Sequence, residues 1–238
     1  MKKLLVTGGS RGIGRACVEY FSSLGYRVAF IYAKSDAEAE ALSRDCGALA
    51  VKADVSDPTS VRDAFAGAIA WLGGLDVLIN NAGIAQIKLL SDVTDDDWER
   101  MLGVNLSGVF YATRAAIPTM VAQKSGRIIN IGSVWGRCGA SCEAHYSATK
   151  SALRGLTYSL AKELGPSGIT VNCIEPGVID TDMNGDLGES EMRELVDETP
   201  LCRIGDPLEV AYLAEFLASE RASFITGQTI GVDGGFAL

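Results

Sequence analysis

Two sets of residues in this 238-residue chain combine types and spacings that can do chemistry. The first is Thr7-Gly8-Gly9-Ser10-Arg11-Gly12-Ile13-Gly14, which follows an apolar strand-like run and precedes a helical one. Glycines at 8, 12 and 14 permit a tight turn and close backbone approach, so pyrophosphate oxygens can meet free amide donors at a helix N-terminus. Their Gly-x-x-x-Gly-x-Gly order differs from the commoner Gly-x-Gly-x-x-Gly fingerprint. An NAD site usually places an acid about 20 residues further on to hold the ribose hydroxyls. That position here is Lys34, with Asp36 two residues beyond and Arg11 inside the loop itself. Two cations suit a ribose 2′-phosphate, which rewards charge-assisted hydrogen bonds, so NADP(H) is the cofactor expected. In the other reading Lys34 and Arg11 are solvated surface charges and Asp36 does the acid's work.

The second set lies further along. Tyr146 and Lys150 stand four apart in an amphipathic stretch, hence on one helical face. Ser133 closes a buried strand-like run, Arg127–Ser133, at the carboxyl end where α/β sheets place their ligands. Asn80-Asn81-Ala82-Gly83 marks a second such end. Asn105 falls within an otherwise apolar helical stretch, where its amide competes with the backbone's own hydrogen bonds.

These residues must be positioned by alternating strands and helices. Lys3–Thr7, Arg27–Tyr32, Ala48–Ala53, Leu75–Asn80, Gly126–Ile131, Thr170–Glu175 and Thr229–Val232 read as strands. They lack in/out alternation, as strands of a parallel sheet covered on both faces do. Between them Gly12–Leu24, Ala37–Cys46, Pro58–Leu72, Asp95–Ala122, Ala144–Leu164 and Pro207–Ala218 carry helical apolar spacing. Asp57-Pro58 supplies an N-cap and a first-turn proline. The alternation predicts an α/β fold: one domain spanning 1–238, with a doubly wound parallel sheet and right-handed crossovers.

Composition excludes other classes. Lys and Arg number 21 against 30 Asp and Glu, a net charge of −9, the wrong sign for binding nucleic acid. Hydrophobic residues make up 47%, enough for a packed core, and no apolar run nears the roughly 18 residues that span a bilayer. The apolar stretch after Met1-Lys2-Lys3 is too short for a signal peptide, so a cytoplasmic location is expected. Six cysteines without a Cys-x-x-Cys pair, and one histidine, His145, leave no metal site to propose. Free thiols in a reducing compartment are expected, although Cys138 and Cys142 are close enough in sequence to be linked or reactive.

In their order and separations, TGGSRGIG at 7–14, NNAG at 80–83, Asn105, Ser133, Tyr146-x-x-x-Lys150 and Pro176-Gly177 resemble the short-chain dehydrogenase/reductase family over essentially the whole chain. Within it SGRIINIGSVWG, AKELGPSGITVN, PGVIDTDM and ITGQTIGVDGG are most similar to reductases of 3-oxoacyl groups on acyl carrier protein. SVWGRCGASCEAHYSATK carries a narrower likeness to bacterial reductases of a 5-aminopentanone group on elongation factor P. The resemblance implies seven strands in the order 3-2-1-4-5-6-7 and NADP(H)-dependent reduction of a ketone. Tyr146 would be the proton donor, Ser133 would hold the carbonyl oxygen, and Lys150 would bind the nicotinamide ribose. Asn105 would position a water that returns protons to Lys150. Cofactor contacts would come from Gly8, Ser10, Arg11, Gly12, Ile13, Gly14 and Lys34; from Asp54 and Val55 at the adenine; and from Asn81, Ala82 and Gly83 beside the ribose. Pro176, Gly177, Ile179 and Thr181 would face the nicotinamide. A lysine ammonium about 4 Å from the phenol would favour phenolate by ~4 kcal/mol at an effective dielectric of ~20, lowering the phenol from its ordinary pKa of roughly 10.

The connection Asp182–Thr199 is long for an α/β unit and is expected to act as a substrate lid. Its seven acids against Arg193 alone leave a net charge of −6. Reductases of this likeness dock the acidic carrier protein on basic residues flanking the cleft. Lys124 matches one of these positions, but Ser167 replaces the other. Like charges slow encounter, so the lid disfavours a carrier protein and attracts an amine-bearing ketone; alternatively the charge is only a solvated face. The long helices at 95–122 and 144–164, and the apolar end Ile225–Leu238, resemble the surfaces of a homotetramer.

Overall fold

The computed structural model describes residues 1–185 and 188–237. Asp186 among the lid acids, and Leu238 at the apolar end, lie outside the described residues. The strands are β1 Lys3–Thr7, β2 Arg27–Tyr32, β3 Leu49–Lys52, β4 Val77–Asn80, β5 Gly126–Ile131, β6 Ile169–Pro176 and β7 Thr229–Val232. They form one parallel sheet in the order β3-β2-β1-β4-β5-β6-β7. Strands β4, β5 and β6 are buried along their whole length, although β5 and β6 also bury Arg127, Asn130, Thr170, Asn172 and Glu175.

Helices cover both faces. On one face α1 Gly12–Ser23, α2 Asp36–Cys46 and α9 Pro207–Ala218 pack Val18, Phe21, Leu42 and Val210 on Leu4, Val6, Phe30 and Ile129. On the other, α3 Pro58–Leu72, α5 Gly108–Gln123 and α7 Ala144–Leu164 pack Phe65, Leu72, Met120 and Leu164 on Leu5, Ile31, Leu78 and Ile128. Asp57 caps α3 as expected, accepting hydrogen bonds from the amides of Thr59 (3.0 Å) and Ser60 (3.2 Å) ahead of Pro58.

Three segments depart from the sequence reading. The helix expected over 95–122 is interrupted: α4 Asp95–Leu102 leads into a π-helical turn, Gly103–Ser107, before α5 begins. Asn105 lies in that turn, and the Gly108 amide reaches five residues back to the Gly103 carbonyl. Widening the helix by one residue lets the amide leave the ladder without breaking it. A short helix, α6 Trp135–Cys138, follows Ser133. Within the acidic connection Glu189–Glu198 forms α8, whose first turn is closed by the Glu191 carboxylate accepting from the Gly188 amide at 2.7 Å.

A buried amide ladder ties the sheet centre to the helices below it. Asn80 and Asn130 are register partners on β4 and β5. Asn80 donates to Asn130 Oδ1 (2.9 Å) and to Thr113 Oγ1 on α5 (3.0 Å), while Asn130 donates to Thr157 Oγ1 on α7 (2.9 Å). This network fixes the carboxyl ends of both central strands, where the candidate site lies.

Candidate active site

The glycine loop turns from β1 into α1 with Gly8 and Gly12 at φ +67° and +52°, a region that strains any side chain bearing a Cβ. A Cβ on Gly14 would run into the Gly8 carbonyl oxygen and lie 2.5 Å from Asn81 Nδ2. Asn81 is the pin of this loop. Its side-chain amide donates to the carbonyls of Thr7 (3.1 Å) and Gly8 (3.0 Å), and the Thr7 hydroxyl accepts the backbone amides of Asn81 and Ala82, each at 3.1 Å. Arg11 occupies the N-cap of α1 without a side-chain cap, and no acid sits in the first turn. The first amides of α1 therefore stay available to an anion, and the positive end of the helix dipole is unopposed. A dinucleotide pyrophosphate fits this cradle. Ser10 is buried and Ile13 half-buried beside it.

At the ribose end Lys34 is exposed in the bend after β2. Asp36 is exposed and paired with Lys52, whose Nζ donates to it at 2.7 Å, and that bond, followed by one from Tyr32, holds its carboxyl below the usual range. Lys52 is a neighbour that the twenty-residue rule does not find. Arg11 reaches across the loop to Asp182 at 3.4 Å, both groups exposed. Asp54 turns onto Ser56, accepting from its amide (2.9 Å) and hydroxyl (2.7 Å), and Val55 is buried against Gly108 at the start of α5.

The second set of residues converges from four elements. A Cβ on Gly83 would lie 3.4 Å from both Asn105 Oδ1 and Lys150 Nζ, which places NNAG, the π turn and α7 around one point. Asn105 is fully buried; it accepts from the Ile84 amide (2.8 Å) and donates to the Ile84 carbonyl (2.9 Å) and towards Thr149 Oγ1 (3.3 Å). Lys150 Nζ donates to the Ile131 carbonyl at 2.9 Å, at the carboxyl end of β5. Ser133 Oγ accepts from the Trp135 amide at 3.2 Å. Sequence reading passed over Gly136, whose Cβ would meet the Lys150 backbone carbon at 2.8 Å; only glycine lets α6 cross α7 this closely.

The electrostatics correct one expectation. Lys150 Nζ stands 5.7 Å from the Tyr146 ring centroid and donates to a carbonyl, and the phenol is raised rather than lowered from its ordinary value. Burial dominates both groups: it pushes Tyr146 up to about 12, against the pull of the neighbouring Ser133 hydroxyl, and Lys150 down to about 8. The phenol is thus protonated and able to donate at neutral pH.

Pro176 ends β6 with its carbonyl accepting the Val134 amide at 2.8 Å, and Gly177 packs against Asp233 with no room for a Cβ. Thr181 touches the glycine loop, its Cγ2 3.2 Å from where a Gly12 Cβ would stand. Ile179 is 4% exposed, with its side chain packed beside Gly205 among the buried residues of the α1/α9 face. The lone histidine, His145, is fully buried. Gln86 binds Asp97 through its NH₂ (3.0 Å), so its oxygen faces His145 Nε2 (3.0 Å), which must donate. That chain clamps the 84–88 loop to the start of α7. Cys138 and Cys142 are free thiols, and among the described residues no cluster could hold a metal and no helix is long and apolar enough to cross a membrane.

Comparison with known proteins agrees with this geometry. A family model described as enoyl-(acyl carrier protein) reductase matches residues 8–237. The chain is 42% identical over 242 residues to a 3-oxoacyl-(acyl-carrier-protein) reductase of Staphylococcus aureus, covering 100% of this chain and 98% of that one. It is 42% identical over 239 residues to the enzyme of that name from Aquifex aeolicus, covering 98% and 96%. Among solved structures, a double variant of a Serratia marcescens short-chain dehydrogenase/reductase superposes with a TM-score of 0.93 at 40% identity, covering 100% and 98%. A blue fluorescent protein from a metagenomic library, in complex with NADPH, gives a TM-score of 0.93 at 42% identity with the same coverage. With this glycine cradle, this sheet order and this serine–tyrosine–lysine–asparagine group, the chain belongs to the short-chain dehydrogenase/reductase family of oxidoreductases acting on CH–OH and C=O groups.

Proposed function

We propose that the chain is an NADPH-dependent ketone reductase. The observation that carries this reading is the convergence of Ser133, a protonated Tyr146, Lys150 and Asn105 beside an uncapped α1 N-terminus. Amides of Gly8 to Gly14, with Ser10 and Ile13 alongside, would hold the pyrophosphate. Arg11 and Lys34 would hold the 2′-phosphate, Asp54 and Val55 the adenine, and Asn81, Ala82 and Gly83 the ribose. Pro176, Gly177 and Thr181 would border the nicotinamide, with Ile179 contributing backbone. When bound, NADPH supplies the hydride. The chain's own groups then handle charge and protons. Ser133 Oγ orients the ketone oxygen, and Tyr146 gives its phenolic proton to that oxygen as negative charge develops there. Lys150 binds the ribose, and its ammonium steadies the phenolate left on Tyr146. Asn105, through the π turn, holds the Ile84 loop open for a water that returns a proton to Lys150.

For the substrate, the 42% identity to 3-oxoacyl-(acyl-carrier-protein) reductases supports a 3-oxoacyl thioester carried by acyl carrier protein. A second reading, reduction of the 5-aminopentanone group on elongation factor P, is favoured by the acidic lid at 182–199 and by Ser167, where a docking cation would be expected. The assembly expected is a homotetramer. The decisive experiment is side-by-side NADPH oxidation with a 3-oxoacyl thioester and an aminoketone. Replacing Glu194 and Glu198 with Gln should improve the first and impair the second if the lid selects by charge, and both effects should shrink with salt.

A further inference from the structure

One half-buried carboxylate close to Tyr146 has, among the described residues, no ion-pair partner. Glu143 is the N-cap residue of α7, three positions before Tyr146 and so on the same side of the helix. Its backbone is engaged, with its carbonyl accepting the Ser147 amide at 2.8 Å and its amide donating to Ala140 at 3.3 Å. Its half-buried side chain caps no amide and, among the described residues, has no ion-pair partner. Lys88 pairs with Asp97 at 2.7 Å, Arg154 with Glu175 at 3.4 Å and Arg203 with Glu209 in a two-pronged pair, and none of these forms an ion pair with Glu143. Burial raises the Glu143 carboxyl above its ordinary value, and its charge in turn opposes ionisation of Tyr146.

A carboxylate withdrawn from water without a partner is unfavourable, and such groups concentrate where a ligand supplies what is missing. Anionic or neutral ketones would leave Glu143 unpaired. A protonated amine would complete it with a charge-assisted hydrogen bond, and would also relieve the repulsion that Glu143 exerts on the Tyr146 phenolate. We infer that Glu143 is a specificity-determining residue that receives a protonated amine carried on the ketone substrate, a few carbons from the carbonyl held at Ser133 and Tyr146. The inference rests on the ketone-reductase reading and decides between its two substrate classes in favour of the aminoketone. The acids of α8 then add longer-range attraction for the same cation.

The test uses a matched pair of ketones. 5-(Dimethylamino)pentan-2-one is cationic at neutral pH and, as a tertiary amine, cannot cyclise to an imine; 6-methylheptan-2-one is its neutral carbon counterpart. The readout is the ratio of kcat/KM for the cationic over the neutral ketone with NADPH, which cancels any general loss of activity. Glu143→Gln should lower that ratio about tenfold, the scale of one charge-assisted hydrogen bond, mainly through KM. Glu143→Lys should reverse the preference. A ratio that stays within about twofold of the parent in both variants overturns the inference and leaves Glu143 a solvated carboxylate. If the parent binds NADPH by fluorescence yet reduces neither ketone nor a 3-oxoacyl thioester, the ketone-reductase reading has failed, and the inference falls with it.

Discussion

Gly14→Ala tests the cofactor cradle where the structure leaves least room. The added methyl would run into the Gly8 carbonyl and crowd the Asn81 side-chain nitrogen at 2.5 Å, and neither neighbour is the free end of a flexible chain. Gly8 is fixed at φ +67°, and Asn81 is held by two hydrogen bonds to the same loop. Forcing a methyl into a packed site costs typically 1–3 kcal/mol, and each displaced hydrogen bond about 1 kcal/mol. A loss of about 3 kcal/mol is therefore expected, or about 6–12 °C in Tm at the roughly 2–4 °C per kcal/mol typical of a chain this long. Gly67→Ala on α3 is the internal control, because nothing lies within 4 Å of its Cβ position. Removing a glycine from an exposed helix interior should stabilise by roughly 0.5–1 kcal/mol and raise Tm by about 1–4 °C. Scanning calorimetry gives both values, and NADPH titration by fluorescence should show Gly14→Ala weakened at least about tenfold and Gly67→Ala unchanged. If Gly14→Ala melts within about 1 °C of the parent and keeps its NADPH affinity, or if Gly67→Ala falls as far, the close-approach argument is wrong.

Tyr146→Phe should cut kcat by at least about 10²-fold with NADPH affinity little changed, whereas Lys150→Ala should impair both; stopped-flow reduction and cofactor titration separate the two effects. Lys34→Asp should move kcat/KM towards NADH, and equal use of both cofactors by the parent would count against the 2′-phosphate assignment. Glu209 is held down at about 2, from 4.5, first by its side-chain bond to Arg203 and then by the Asp206 amide. Because the native value is depressed, the stability it contributes is full above about pH 4.5 and fades as pH falls towards 2. The Tm gap between the parent and Glu209→Gln should follow that window. Light scattering at micromolar concentration should report a tetramer rather than a monomer, since Trp98 (38% exposed) and Phe110 (45%) on the α4–α5 segment leave an apolar face uncovered.

The strands, the glycine turn and the Tyr146–Lys150 pair were legible from residue order because each depends on local rules, whereas the order of the strands in the sheet came only through the family resemblance. Uninterrupted apolar runs mean a sheet covered on both faces, glycines mean close backbone approach, and a spacing of four means one helix face. What residue order could not supply is how far a side chain stands from a neighbour brought in from elsewhere in the chain. Asn105 was conspicuous as a polar residue in a helix, but its release by a π turn follows from Ile84 and Thr149 packing against it. Lys150 was expected beside the phenol as an activating charge; packing holds it on the Ile131 carbonyl, and burial, a property of the whole fold, sets both pKa values. Glu143 looked like one more acid among 30 Asp and Glu. That it lies half-buried without an ion-pair partner among the described residues is a matter of long-range contacts that no spacing along the chain encodes.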